Sequence, residues 1–365
     1  MNIVILGLSI TSSWGNGHAT TYRGLVRELA ARGHEVLFLE RDVRWYAANR
    51  DLPRAPGAEV ALYRSLAQLQ RQHADAIREA DAVIVGSYVP QGIEVGEWVL
   101  ATARGVVGFY DIDTPVTLAQ LARGACEYLS LELIPRYHVY LSFTGGPLLR
   151  RLEREFGSPM ARPLYCSVDP RAYYPEPEDP VWDCGYLGTY SPDRQPRLEE
   201  LMLRPARRWR GGCFVVAGPQ YPRGVRWPAN VERIDHVAPA HHRAFYNRQR
   251  FTLNITRADM IAAGYSPSVR LFEAAACGVP IISDSWTGLE EFFEPGTEIL
   301  VAGSTAEALD LLRNLGRGEG HRIGLAARRR VLAAHTAAHR ALELETHLRE
   351  AMQAGEIDDA RILSA

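Results

Sequence analysis

Short uninterrupted apolar runs alternate along this chain with longer stretches whose apolar residues recur every three or four positions. Ile3-Val4-Ile5-Leu6 is the first run, and it enters a polar stretch from Ser9 to His18. Beyond it, Tyr22, Leu25, Val26, Leu29 and Ala30 fall on one face of a helix. Gly33 ends that helix, and Val36 to Leu39 begins the next strand. Further strands are predicted at 82–85, 106–110 and 139–143, with helices near 62–79, 115–134 and 147–156. Apolar strands without alternation, separated by amphipathic helices, predict a parallel sheet covered on both faces.

Between 159 and 182 the pattern breaks. Pro159, Pro163, Pro170, Pro175, Pro177 and Pro180, mixed with acids and tyrosines, predict a boundary. A second alternation then places strands at 184–187, 214–217, 231–234, 251–255, 281–282 and 299–301. Its helices fall near 194–203, 240–249, 267–277, 304–315 and 319–352. The expected fold is α/β, with two tandem Rossmann-like domains over 1–165 and 166–340 and a C-terminal helix and tail over 341–365.

Composition narrows the chemistry. The chain has 365 residues, enough for two buried cores, and 23% charged residues with 47% hydrophobic ones exclude a disordered chain or a rod. No apolar run approaches the ~18 residues of a membrane span. Met1 to Leu8 has no basic flank, so a cytoplasmic protein without a signal peptide is expected. The net charge is -2, which argues against general nucleic-acid binding. All 41 cations are arginine, so Schiff-base and P-loop lysine chemistry are excluded and anions fall to Arg or backbone N–H groups. Cys126, Cys166, Cys184, Cys213 and Cys277 are scattered and read as small buried hydrophobes of a reducing compartment.

Candidate chemistry gathers where predicted strands end. Gly15-Asn16-Gly17-His18 joins the first strand to the first helix, where N–H groups and the helix dipole attract anions. Gly15 and Gly17 begin a dinucleotide fingerprint with Glu40 as its ribose acid, but Thr20 stands where the third glycine belongs, so NAD is a minor reading. His18 is either a general base or a helix-start residue capping backbone groups. Asp111 and Asp113 follow the strand at 106–110; they read as a divalent-metal pair, as carboxylates that orient His18 or touch substrate, or, for Asp113, as a helix cap before Thr114-Pro115. Gly188, Thr189 and Arg194 form a second anion cradle, or a structural turn with a solvated arginine.

The most specific segment runs from Ser266 to Asp284. Ser266 or Ser268 caps a helix that Gly278 terminates, and a buried strand follows. Arg270 and Glu273, three apart, share a helix face as a surface pair unless Glu273 accepts from ribose hydroxyls. The pattern Arg270-x-Phe272-Glu273-Ala274-x-Ala276-Cys277-Gly278-x-Pro280-Ile281-Ile282-x-Asp284, followed by Gly288-Leu289-Glu290, resembles the C-terminal domain of GT-B glycosyltransferases, and more specifically the CgeB-like (spore-maturation-protein-like) branch. The Gly15–His18 loop, Arg32-Gly33-His34-Glu35-Val36, Asp113-Thr114-Pro115 and Tyr165–Asp169 are similar to the same branch.

The resemblance implies two domains facing across a cleft that holds the active site, a nucleoside-diphosphate sugar such as a UDP-sugar as donor, an unidentified acceptor and no metal or other cofactor. It implies that Glu273 binds the donor ribose, that Gly17, Gly188, Thr189, Arg194, Arg257, Ser266, Ser268 and Arg270 line the donor side, and that His18 is the base, oriented by Asp111 or Asp113. Where retaining members carry a second acid, eight residues before Glu273, this chain has Tyr265, which leaves the stereochemistry open. A GT-B sugar-nucleotide epimerase and a non-catalytic two-lobed binding protein are the alternatives. Two outlying features are a His335, His339, Glu343, His347 stripe, read as a polar helix rather than a metal site, and Arg204, Arg207, Arg208, Arg210 with Trp209, read as a solvated helix end or a peripheral contact with anionic lipid.

Overall fold

The computed structural model describes the backbone of residues 1–363 and the side chains of residues 1–355. These residues form two compact units: Met1–Cys166 with the chain from Ala337 onward, and Ser167–Thr336. The first unit holds strands β1 (Asn2–Gly7), β2 (Glu35–Arg41), β3 (Glu59–Tyr63), β4 (Ala82–Gly86), β5 (Val106–Asp111), β6 (Val139–Ser142) and β7 (Ala161–Pro163). They make a parallel sheet in the order β3-β2-β1-β4-β5-β6-β7. The second unit holds β8 (Trp182–Leu187), β9 (Phe214–Ala217), β10 (Val231–Ile234), β11 (Gln249–Asn254), β12 (Ile281–Ser283) and β13 (Leu300–Val301), parallel in the order β10-β9-β8-β11-β12-β13.

Chain order reverses between β1 and β4 in one sheet and between β8 and β11 in the other. At such a switch point the two loops leaving the strand C-termini diverge to opposite faces, opening a crevice for ligands. The candidate residues come from these loops and their neighbours. The apolar runs explain the cores: Ile3, Ile5, Leu6, Val83, Ile84 and Val85 are buried in one sheet, and Phe214, Val216, Leu253 and Ile282 in the other.

Several elements depart from expectation. The helix expected over 115–134 ends at Ala122, because Gly124 turns into the left-handed region at φ +64°. Two strands were not anticipated: β3, an edge strand with mixed exposure, and β7, a three-residue strand inside the proline-rich segment. Helices Gly92–Thr102 and Ala258–Ala263 were not anticipated either. The single helix expected over 319–352 is two, Arg317–Ala334 and Ala337–Leu363, separated at His335–Thr336.

That break moves the domain boundary from the expected 340 to 336, and the last helix belongs to the first unit instead of forming a separate tail. There it packs on helix His18–Ala31, where a Cβ on Gly24 would stand 3.0 Å from the Ala337 Cβ, so the two backbones come close. Its Glu345 receives Arg32 at 2.6 Å and Arg349 at 2.5 Å, with His34 at 3.4 Å. Leu344 and Leu348 on this helix are fully buried. Leu344→Ala is expected to lower stability by about 2–5 kcal/mol in urea unfolding, the cost of a large-to-small change in a packed core; a cost near zero would mean the helix is not part of the first unit's core.

Candidate functional site

The loop from Leu8 to Gly17 leaves β1 at the first switch point, and two carboxylates hold it, one buried and one at the surface. Glu40, at the end of β2, accepts from Ile10 N at 2.7 Å, Thr11 N at 3.0 Å and Thr11 Oγ1 at 2.6 Å. Both its oxygens are thus taken by the loop, so its role as the ribose acid of a dinucleotide site is corrected. Asp51 accepts from Ser13 N and Ser13 Oγ and, bidentately, from Arg23, each at 2.9 Å. Burial pushes the Asp51 carboxyl up, but Arg23 and Ser13 outweigh it and hold it down to about 2. Gly15 supplies a left-handed turn at φ +61°, and a Cβ on Gly17 would meet no atom within 4 Å, so the chain is open beside the helix start. The His18 N–H donates to Asn16 Oδ1 at 3.0 Å.

The two aspartates after β5 have different surroundings. Asp113 Oδ2 lies 3.9 Å from His18 Nε2 and accepts from Tyr88 Oη at 3.1 Å. Asp111 lies behind, fully buried, accepting from Tyr140 Oη at 2.5 Å, Thr117 Oγ1 at 2.8 Å and the Asp113 N–H at 3.2 Å. Only Asp113 is brought to His18; Asp111 holds the turn that carries it. The two carboxylates turn to separate partners, unlike a convergent pair awaiting one cation.

In the second unit the loop after β8 is built on two back-to-back glycine turns. Gly188 N–H donates to Ala217 O at 2.8 Å, and a Cβ on Gly218 would stand 2.1 Å from Gly188 O. Arg194 reaches back to the Thr189 carbonyl at 2.7 Å, while its Nε is buried without a protein partner. Asp193 accepts from the Ala258 N–H at 3.0 Å and lies 3.9 Å from Arg257 Nε, so this loop and the one after β11 bring Arg194 and Arg257 to the same sheet edge.

Arg270 and Glu273 are both buried and turn to different partners, against the surface-pair reading. Arg270 donates to Leu187 O at 2.6 Å and Asn254 Oδ1 at 2.7 Å, with its guanidinium 4.8 Å from the Tyr186 ring centroid. It is thereby tied to the ends of β8 and β11. Ser268 donates to the same Asn254 Oδ1 at 2.8 Å rather than capping its own helix, and Ser266 is buried in the same turn. Glu273 accepts from Tyr246 Oη at 3.0 Å and lies 3.8 Å from His242 Nδ1. Tyr265, at φ +50°, is pinned by its N–H to Thr287 O at 2.7 Å, with its ring against Gly288.

Tyr88, Asn254 and Asp284 were missed as site residues. Asp284 accepts from Thr256 N at 2.9 Å and Thr256 Oγ1 at 2.8 Å, fastening the loop that carries Arg257. A polar residue at the very end of a strand was the available signal for Asn254; Tyr88 had none. The outlying features are also altered. His335 stacks on Phe272 at 4.8 Å in the second unit, whereas His347 lies 3.3 Å from Pro163 O in the first, so the histidines form no single stripe. Among the described residues no three His, Cys, Asp or Glu side chains gather where they could hold a metal ion. Glu199 pairs with Arg207 and lies 3.7 Å from Arg204, while Arg208 and Arg210 are exposed. No helix among the described residues is long and apolar enough to cross a membrane. Cys213 is exposed and Cys126 half-buried, unlike the other three cysteines.

Burial pushes the Asp111 carboxyl up, against the pull of its three donors, to about 6. The folded protein then binds this proton more tightly than the unfolded chain. Its contribution is greatest below the unfolded value of 3.8, declines as pH rises to about 6 and is flat above. The stability gap between wild type and Asp111→Asn should therefore move in the variant's favour by roughly 2.5 kcal/mol from pH 4 to pH 8; unfolding curves with a constant gap would contradict a proton on Asp111.

Comparison with known proteins bears on the second unit most directly: residues 194–346 match the glycosyl transferase-like family model. No protein of curated function matches the sequence. Sucrose-phosphate synthase from Thermosynechococcus elongatus is similar in structure over 97% of this chain and 100% of its own, at 14% identity and a TM-score of 0.72. HepE from Anabaena, solved with UDP-glucose, is similar over 96% of this chain and 100% of its own, at 14% identity and a TM-score of 0.70. An alpha-glucosyltransferase solved with UDP is similar over the same shares, at 12% identity and a TM-score of 0.69. The chain thus has the two-domain GT-B fold, and over residues 194–346 it is similar to the glycosyl transferase-like family.

Proposed function

We propose that this protein is a glycosyltransferase that moves a sugar from a nucleoside-diphosphate sugar to an acceptor hydroxyl. The observation that carries the reading is the edge of the second sheet at its switch point. There Arg194 and Arg257 come together beside a glycine turn, and the family match covers both arginines. A departing diphosphate needs positive charge and N–H donors, and without lysine they come from arginine and from the start of helix Val269–Ala276. Structures of the same fold solved with UDP and UDP-glucose favour a UDP-sugar. The Arg270–Asp284 pattern favours the CgeB-like branch.

In the inverting form of the reaction His18 takes the proton of the acceptor hydroxyl. The oxygen bonds to the anomeric carbon as that carbon's bond to the diphosphate breaks, and the nucleoside diphosphate leaves with the electron pair. Asp113 stabilises the imidazolium formed at His18. Arg194 and Arg257 offset the leaving charge, Glu273 accepts from ribose hydroxyls, and no metal is required. Arg270, already bonded to the two strand ends, keeps the cradle in shape.

A thermal-shift panel of UDP, dTDP, GDP, ADP and NAD tests the donor site. UDP should stabilise the wild type by about 2.7 kcal/mol at 100 times its Kd. Glu273→Gln should weaken UDP about tenfold, some 1.4 kcal/mol, through its altered acceptor set. His18→Ala should keep the UDP shift and lose transfer about 100-fold or more. Stabilisation by NAD alone would overturn the reading, and full transfer by His18→Ala would remove the base.

A further inference from the structure

Tyr88 lies in the five-residue connection from β4 to helix Gly92–Thr102, with its backbone in the left-handed region at φ +64°. Gln91, three residues on, is there too at φ +57°. Left-handed backbone is costly for a bulky side chain and persists only where the surroundings enforce it. Here the connection is zipped to the turn after β5: Ser87 N–H donates to Tyr110 O at 2.9 Å, and Ile112 N–H donates to Ser87 Oγ at 3.2 Å. The Tyr88 ring packs 4.7 Å from that of Tyr128 and 5.7 Å from that of His18.

The hydroxyl at the end of this held ring donates to Asp113 Oδ2, the oxygen that faces His18 Nε2. Asp113 also forgoes its ordinary task. It stands at the N-cap of helix Thr114–Ala122, where an aspartate usually accepts from its own helix, yet its side chain makes no capping bond. A strained tyrosine and a cap left unmade meet at one carboxylate oxygen, beside His18.

We propose that Tyr88 is a positioning residue that fixes the Asp113 carboxylate against His18. The proposal rests on the reading of His18 as the base. Tyr88 keeps its proton, because burial first and then the charges of Asp113, Tyr128 and Asp111 push its phenol far above the ordinary range. It is therefore a fixed donor and cannot itself take the acceptor's proton. Asp113 and Tyr88 both face His18, and Asp111 stands behind them, bonded to Thr117, whose hydroxyl lies 2.8 Å from Tyr128 Oη. With the hydroxyl removed, Asp113 Oδ2 loses the donor that directs it at the imidazole, and its support of the imidazolium weakens.

Tyr88→Phe keeps the ring contacts and removes only the donor. Histidine ring resonances of the full chain are titrated by NMR in wild type, Tyr88→Phe and Asp113→Asn, with His18→Gln assigning the signal. The His18 midpoint should fall by about one pH unit in Asp113→Asn and by roughly half as much in Tyr88→Phe. An unchanged or raised midpoint in Tyr88→Phe overturns the proposal, whatever the activity. With a sugar donor, Tyr88→Phe should lower kcat about tenfold at unchanged donor KM; a raised donor KM at unchanged kcat would also overturn it. If the midpoint falls as expected while His18→Ala still transfers sugar, the base assignment fails and the link from Tyr88 through Asp113 to His18 stands.

Discussion

The Arg270 guanidinium holds together the part of the second unit on which the candidate site depends. At a switch point the strands on either side send their loops to opposite faces, so the loops do not support one another. Arg270 bridges them, with Nε on the last carbonyl of β8 and Nη1 on the side chain that closes β11. Asn254 receives that bond together with the one from Ser268 and passes its own amide hydrogens to Ser283 and Thr256. Three strand ends and a helix start therefore share one buried polar knot. Such a network is worth most when every member is satisfied, because an orphaned group in the interior costs its full desolvation. Lysine has no planar fork to reach two acceptors while stacking on Tyr186, so this is a place where the chain's exclusive use of arginine has a structural consequence.

The first unit solves the same problem with the opposite charge. Its loop after β1 presents N–H groups that no neighbouring strand satisfies, and Glu40 accepts two of them from beneath while Asp51 and Arg23 clamp the next turn. Charge-assisted bonds of this kind contribute about 1.5–3 kcal/mol each, enough to hold a glycine-bearing loop in one shape. The result is that His18 begins its helix from a fixed platform. In both units the polar residues adjoining the candidate groups are largely spent on backbone, which leaves a small number of side chains to do chemistry.

Much of the fold was legible because buried parallel strands write themselves as unbroken apolar runs, and most of the runs named in advance are strands. What was hidden follows physical lines as well. β3 and β7 lie at sheet edges, where half-exposure and short length erase the pattern. The division of the last helical stretch at His335–Thr336 was invisible, since neither glycine nor proline marks it. At the site, residue type and strand-end position single out His18 and Arg194, whereas Arg257 and Glu273 rest on the family resemblance of the second half. Partners were not legible: Arg270 and Glu273 look like a surface pair by spacing, and only burial shows them turned to Asn254 and to Tyr246. Tyr88 is a tyrosine in a loop until its backbone angle and its bond to Asp113 are known.

Asp111 and Asp113 show how far surroundings divide two identical residues. They stand one residue apart after the same strand, yet one is enclosed by Tyr140 and Thr117 and carries its proton up to about pH 6, while the other faces an imidazole. The division is useful to the site, because a carboxylate turned inward to its own donors fixes the turn while its neighbour stays directed at the imidazole. Asp111 is spent on Tyr140, Thr117 and the Asp113 N–H, which leaves Asp113, with Tyr88 donating to it, as the carboxylate of the pair that faces His18. The short-range pattern Asp-x-Asp therefore encodes an anchor and a partner, and which is which is decided by the depth of burial at the end of β5.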